Sequence, residues 1–106
     1  METTIYSVKQ FNDYVAKVLK AEIGEVTIKG EVSGLKIKGQ HIYFDIKDDD
    51  SVLNCYMPAF RLDFPIEDGQ ELLVTGTPGI YVPYGKYSLT VRTIELQGEG
   101  ALKKAF

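Results

Sequence analysis

One cysteine and one histidine are all this 106-residue chain contains, and its 12 basic side chains are outnumbered by 15 acidic ones. Each scarcity excludes something. A lone thiol, Cys55, cannot close an internal disulfide, so nothing here demands an oxidising compartment and a cytoplasmic location is the default expectation. Without a second cysteine there is no thiolate metal cluster, and the chain carries no GxSxG, P-loop or HExxH pattern. No run approaches the ~18 apolar residues that span a bilayer, and the opening METTIYSVKQ has no apolar core behind a basic start. Neither a membrane span nor a secretion signal is expected. A net charge of −3 and a pI near 5.1 argue against tight non-specific binding to a phosphate backbone, which depends on Lys and Arg displacing counterions.

What is present is an ordinary globular composition, 44% hydrophobic and 25% charged, in a length that fits one hydrophobic core. The rest of the chain is arranged around the stretch VTIKGEVSGLKIKGQHIYFDIKDDDSVLNCYM, residues 26–57. Alternation of apolar and polar residues predicts three strands, over 26–36, 41–47 and 52–57. Val26, Ile28, Val32, Ile42, Phe44, Ile46, Leu53, Cys55 and Met57 share the core side. Lys29, Ser33, His41, Tyr43, Asp45, Lys47, Asn54 and Tyr56 share the other, a wet, aromatic, mildly basic surface. The basic groups Lys29, Lys36, Lys38, His41 and Lys47 gather in this meander, whereas acids concentrate at residues 48–50 and at Glu67, Asp68 and Glu71. A curved sheet presenting such a face suits a flexible polymer, and single-stranded nucleic acid is the leading candidate.

Ahead of the meander, Ser7 and Gln10 form a capping-box pattern, with Tyr6 and Phe11 as a hydrophobic staple. Val8, Phe11, Val15, Val18 and Leu19 then make an apolar helical stripe that Gly24 ends, and the stripe is expected to pack on an open end of the barrel. Gly30 and Gly34 mark a bulge or bend in the first strand. Lys36 to Gln40 reads as a link, and Asp48 to Ser51 as a polar turn. Pro58 to Asp68 has room for one helical turn at most and must cross the barrel. A fourth strand runs from Glu71 to Gly76 and on through 77–79 to Tyr81, the loop 82–85 reverses the chain, and a fifth covers 86–96. On that last strand Tyr87, Leu89 and Val91 are expected to face inward, with Ser88, Thr90 and Arg92 outward.

The fold class that follows is all-β with one N-terminal α-helix, a five-stranded Greek-key OB-fold barrel. An SH3-like barrel is the nearest competitor, but its strands are shorter. Residues 1–24 form the helix, 25–97 the barrel, and 98–106 a linker stub toward a further domain.

Three adjacent carboxylates, Asp48 to Asp50, read as a solvated turn because the glycine and distal glutamate of a calcium loop are missing. No metal and no cofactor is expected. His41 has no nucleophile or orienting carboxylate at a recognisable spacing, so general-base chemistry is not assigned to it; beside Lys36 and Lys38 it reads as a stacking or phosphate contact. Tyr43 and Tyr56 on neighbouring strands can stack bases, against the plain alternative that strands favour tyrosine. Asn54 lies on the same face. Tyr84, Lys86 and Arg92, with Tyr81, flank the groove from the last hairpin, since OB barrels grip single strands between their first and last hairpin loops. The backbone phosphates would fall to Lys29, Lys36, Lys38 and Lys47.

The order of YSVKQFNDYV, IKGEVSGLK, GQHIYFDIKD, the hairpin GIYVPYGKYSLTV and the final GEGALKKAF resembles the N-terminal OB domain of the exonuclease VII large subunit, over essentially the whole chain. The resemblance implies a single-stranded-DNA-binding module at the front of a larger nuclease that works with a small subunit. It puts the catalytic residues in the domain after the barrel, so none is assigned here, and carries the binding role to Lys36, His41, Tyr43, Lys47 and Tyr84. Two alternatives stand beside it: a barrel that docks another protein, favoured by the acidic pI, and an anticodon-type RNA-binding barrel.

Overall fold

The computed structural model of the chain describes residues 3–97, and the expected linker stub at 98–106 lies outside them. Helix α1 is Val8–Val18. It starts where its capping box dictates: Ser7 Oγ accepts the Gln10 amide at 3.1 Å, and Gln10 Oε1 accepts the Ser7 amide at 2.8 Å. The Tyr6 and Phe11 rings meet edge-on at 5.8 Å, as a staple should. A π-helical turn, Leu19–Ile23, extends the helix to Gly24, whose φ of 66° ends it.

Five strands follow: β1 Val26–Lys38, β2 His41–Lys47, β3 Val52–Pro58, β4 Glu71–Tyr81 and β5 Lys86–Leu96. They close into a barrel in the order β1-β2-β3-β5-β4. All neighbours are antiparallel except β3 and β5, which pair in parallel at Cys55–Leu89 and Tyr56–Thr90. The inward residues of every strand contribute to one core, with Val32, Ile42, Phe44, Met57, Leu72, Val74, Leu89 and Val91 almost wholly enclosed. The crossing connection makes one 3₁₀ turn, Ala59–Arg61, and sends Leu62, Phe64 and the buried Ile66 against that core.

Two glycines lie at close approaches, a tight one at Gly30 and a forbidding one at Gly76. A Cβ at Gly30 would sit 3.0 Å from the Ile46 Cβ, and one at Gly76 would collide with the Thr90 carbonyl where β4 slips register against β5. In β1 the register shift falls between Ser33 and Lys36, at Gly34 with φ 66°. This bulge resets the alternation, so that Val32 and Leu35 both face the core and Lys36 lies opposite Tyr43.

Three features differ from the sequence expectation. The lysine-rich segment 36–38 belongs to β1, leaving only Gly39 and Gln40 as the turn. Tyr87 is 53% exposed and lies outside the core. Its alternation with Leu89 is intact, but β1 stops pairing with β4 at Val26–Gly76 while β4 and β5 run on for five rungs to Tyr81–Lys86. Leu89, still paired with β3, is the last of β5 to enter the core; past it the hairpin outruns the barrel, and the inner face at Tyr87 has no core to enter. Helix α1 lies beside β4 and the hairpin turn Val82–Tyr84, and none of its residues is buried. Its Val8 is 80% exposed and Phe11 half-exposed, so the stripe is covered only in part.

Candidate nucleic-acid interface

Polar positions of β2 and β3 turn outward because their neighbours fill the core, and the register sets Tyr43 directly across from Tyr56. The two rings lie 5.3 Å apart at 44°. His41 closes a triangle with them, 5.6 Å from the Tyr56 ring and 6.4 Å from Tyr43, and its Nδ1 is hydrogen-bonded to the Tyr56 hydroxyl at 2.7 Å. Lys38 Nζ stands 5.8 Å from the centre of the Tyr43 ring, at cation–π distance. Lys36, opposite Tyr43 on β1, shares that side of the sheet.

These rings form one side of a groove of about 600 Å³. Asn54, Ser88 and Thr90 line its length, and Ile80, Tyr81 and Lys86 of the hairpin line its other side. Tyr84, 83% exposed at the hairpin turn, holds its ring 5.6 Å from Tyr81. Asn54 donates from Nδ2 to Asp45 Oδ1 at 3.1 Å.

Of the residues singled out in the sequence, the groove thus gathers His41, Tyr43, Asn54, Tyr56 and Lys86, with Lys36 and Lys38 along β1 and Tyr84 at the hairpin. Lys29 and Lys47 lie elsewhere, in a depression shared with Glu31, Asp48, Asp49 and Glu71. Lys29 Nζ is 3.2 Å from Glu71 Oε1 and Lys47 Nζ is 4.0 Å from Glu31 Oε2. Arg92 is held by both oxygens of Glu25, at 2.7 and 2.8 Å. The hydrogen bond from Arg92 keeps the Glu25 carboxyl below its usual range, and the same contact raises the guanidinium. These three cations already have carboxylate partners, so the groove's positive charge rests on Lys36, Lys38 and Lys86.

Ile80, Ser88 and Thr90 were not among the sequence candidates. The outward parity of Ser88 and Thr90 was readable, but their place beside Tyr56 depends on the parallel β3–β5 pairing, which no local pattern announces. Cys55 faces the core, where burial first and the Asp45 charge second push its thiol up to about 12, so it offers no nucleophile. Among the described residues no three His, Cys, Asp or Glu side chains converge as a metal site.

A family model described as an OB-fold nucleic acid binding domain matches residues 6–95. Similar curated proteins include the exodeoxyribonuclease 7 large subunit of Nitratiruptor sp., 37% identical over 106 residues, which cover 96% of this chain and 26% of the relative. The large subunit from Clostridium botulinum strain Okra is 38% identical over 112 residues, covering 100% of this chain and 28% of its own. The chain therefore spans about a quarter of the length of these relatives. Among solved structures, a replication protein A heterotrimer bound to ssDNA aligns with a TM-score of 0.60 at 13% identity, over 71% of this chain and 58% of that one. The S. pombe Stn1-Ten1 complex aligns at 0.59 and 16% identity, over 76% and 66%. At such identities these two likenesses speak to the fold alone. The family match runs the length of the closed barrel, and the chain belongs to the OB-fold nucleic acid binding domains, matching the N-terminal part of exodeoxyribonuclease 7 large subunits.

Proposed function

We propose that the groove holds single-stranded DNA and that, in a longer protein, the barrel presents the strand to a nuclease domain. The observation that carries this reading is the cluster of Tyr43, Tyr56 and His41 facing the hairpin's Tyr81 and Lys86 across one groove. Rings stack on bases whatever their identity, and Lys36, Lys38 and Lys86 meet phosphates without reading sequence. The nuclease context is supported by the names of the relatives, which also support a small subunit as partner. A cytoplasmic setting accords with it; no helix among the described residues is long and apolar enough to cross a membrane.

A second reading, a barrel that docks a protein, is favoured by the exposed Ile5 just ahead of α1, by Val8 and Phe11 on it, and by the acidic balance. Replacing Lys36 and Lys38 together by Glu separates the two. Oligo-dT binding measured by fluorescence anisotropy should collapse in this variant while its melting temperature holds; unchanged DNA binding would favour docking.

A further inference from the structure

We infer that helix α1 is part of the binding device, and that Asn12 is a positioning residue that sets the β4–β5 hairpin against the groove. The inference rests on the single-stranded-DNA reading of that groove and adds to it an element on which no groove residue lies.

The hairpin needs a support. Beyond Gly76 the strand β4 has lost β1 as a neighbour, and past the Pro78–Leu89 rung β5 has lost β3 as well, so the last three rungs, Gly79–Ser88 to Tyr81–Lys86, are a two-stranded ribbon, which by itself is marginal in water. Yet this ribbon carries Ile80, Tyr81 and Lys86, one whole side of the groove, and Tyr84 at its turn. What stands beside it is α1, which lies against β4 and the turn Val82–Tyr84. Asn12 makes the specific contact: its Nδ2 donates to the Val82 carbonyl at 3.2 Å across 70 residues of sequence. Among the described residues this is the one side-chain hydrogen bond joining α1 to the barrel strands or their turns.

The turn is shaped to receive it. Gly85, with φ 62°, closes the 3₁₀ turn by donating its amide to Val82 O at 3.2 Å, and a Cβ there would come within 3.3 Å of Asn12 Nδ2. The Val82 carbonyl thus accepts from both Gly85 and Asn12. Residues 81 and 84, one on either side of this anchored point, carry the paired tyrosine rings. Helix, turn and rings form one mechanical unit, and a hairpin released from Asn12 would lose the fixed approach of Tyr81 and Lys86 to the rings of β2 and β3. Asn12 touches no base or phosphate on this account; it works through the hairpin.

The test is a double-mutant cycle read by anisotropy of a fluorescein-labelled dT oligonucleotide at low salt, on the whole 106-residue chain. Asn12→Ala should weaken binding by about three- to tenfold, the loss of one organising hydrogen bond. Asn12→Asp keeps the shape, cannot donate to a carbonyl, and should do the same. Melting temperature should stay within a few degrees, since Asn12 lies outside the core and alanine is a better helix former. In a Tyr81→Ala/Tyr84→Ala background, Asn12→Ala should change affinity by less than about twofold, because the rings it positions are gone. An equal loss in both backgrounds would overturn the positioning role, as would unchanged affinity in Asn12→Ala while Tyr43→Ala still weakens binding. If Tyr43→Ala has no effect, the groove reading itself falls, and this inference with it.

Discussion

At the residue scale the account depends on Tyr43 and Tyr56, whose rings the β2–β3 register sets 5.3 Å apart on the outer face. A ring that stacks on a base contributes roughly 1–3 kcal/mol. Alanine at either position should therefore weaken dT binding about 5- to 150-fold, checked by anisotropy, with the barrel still folded because neither ring belongs to the core. Tyr56 also anchors His41, so its removal should be the costlier of the two. A second prediction concerns Cys55. Its thiol is raised from an ordinary value of 9.0 to about 12, so the folded state retains a proton the unfolded chain gives up. That contribution to stability is complete below pH 9 and is lost as pH rises toward 12. Unfolding measured across this window should show a decline to which Cys55→Ala no longer contributes, and in the native protein at pH 8 the thiol should resist alkylation until denaturant is added.

At the element scale, alternation made the strands easy to read: β2 runs over His41–Lys47 as the sequence predicts, and the helix begins at the Ser7 cap. What stayed hidden was long-range. The segment Lys36-Ile37-Lys38 reads as part of a linker until the Gly34 bulge, set against β2, restores its register and makes it strand. Tyr87 has the parity of a core residue and fails to be one because its hairpin outruns the barrel. Lys29 and Arg92 sit against Glu71 and Glu25, carboxylates that are 42 and 67 positions distant and that no local pattern pairs with them. The glycines of β4 give the prediction proper to this scale. Gly76 lies where β5 crosses closest, and Gly76→Ala must push the Thr90 backbone aside, so it should destabilise by about 2 kcal/mol or more or prevent closure. At Gly79, three residues on, an added methyl would meet nothing within 4 Å, and Gly79→Ala should melt within a few degrees of the parent. Thermal unfolding of the pair compares a closed seam with an open ribbon.

At the scale of the whole molecule, the acidic balance and the binding groove are compatible because charge is segregated. Glu25, Glu31 and Glu71 each face a cation away from the rings, while Lys36 and Lys38 stand by the Tyr43 ring and Lys86 lines the groove. Stacking must then dominate and electrostatics be modest. Three neutralised phosphates on a single strand correspond to a slope of about −2 in log K against log salt, far shallower than that of a strongly basic binder. A groove of paired rings also needs unstacked bases, which a duplex does not present. The most direct measurement is therefore an anisotropy titration of labelled oligo-dT and of a duplex of the same length across a salt series. The account predicts that the single strand binds about tenfold or more tightly than the duplex, with that shallow slope. Equal binding of the two, or no binding of the single strand at low salt, would contradict it.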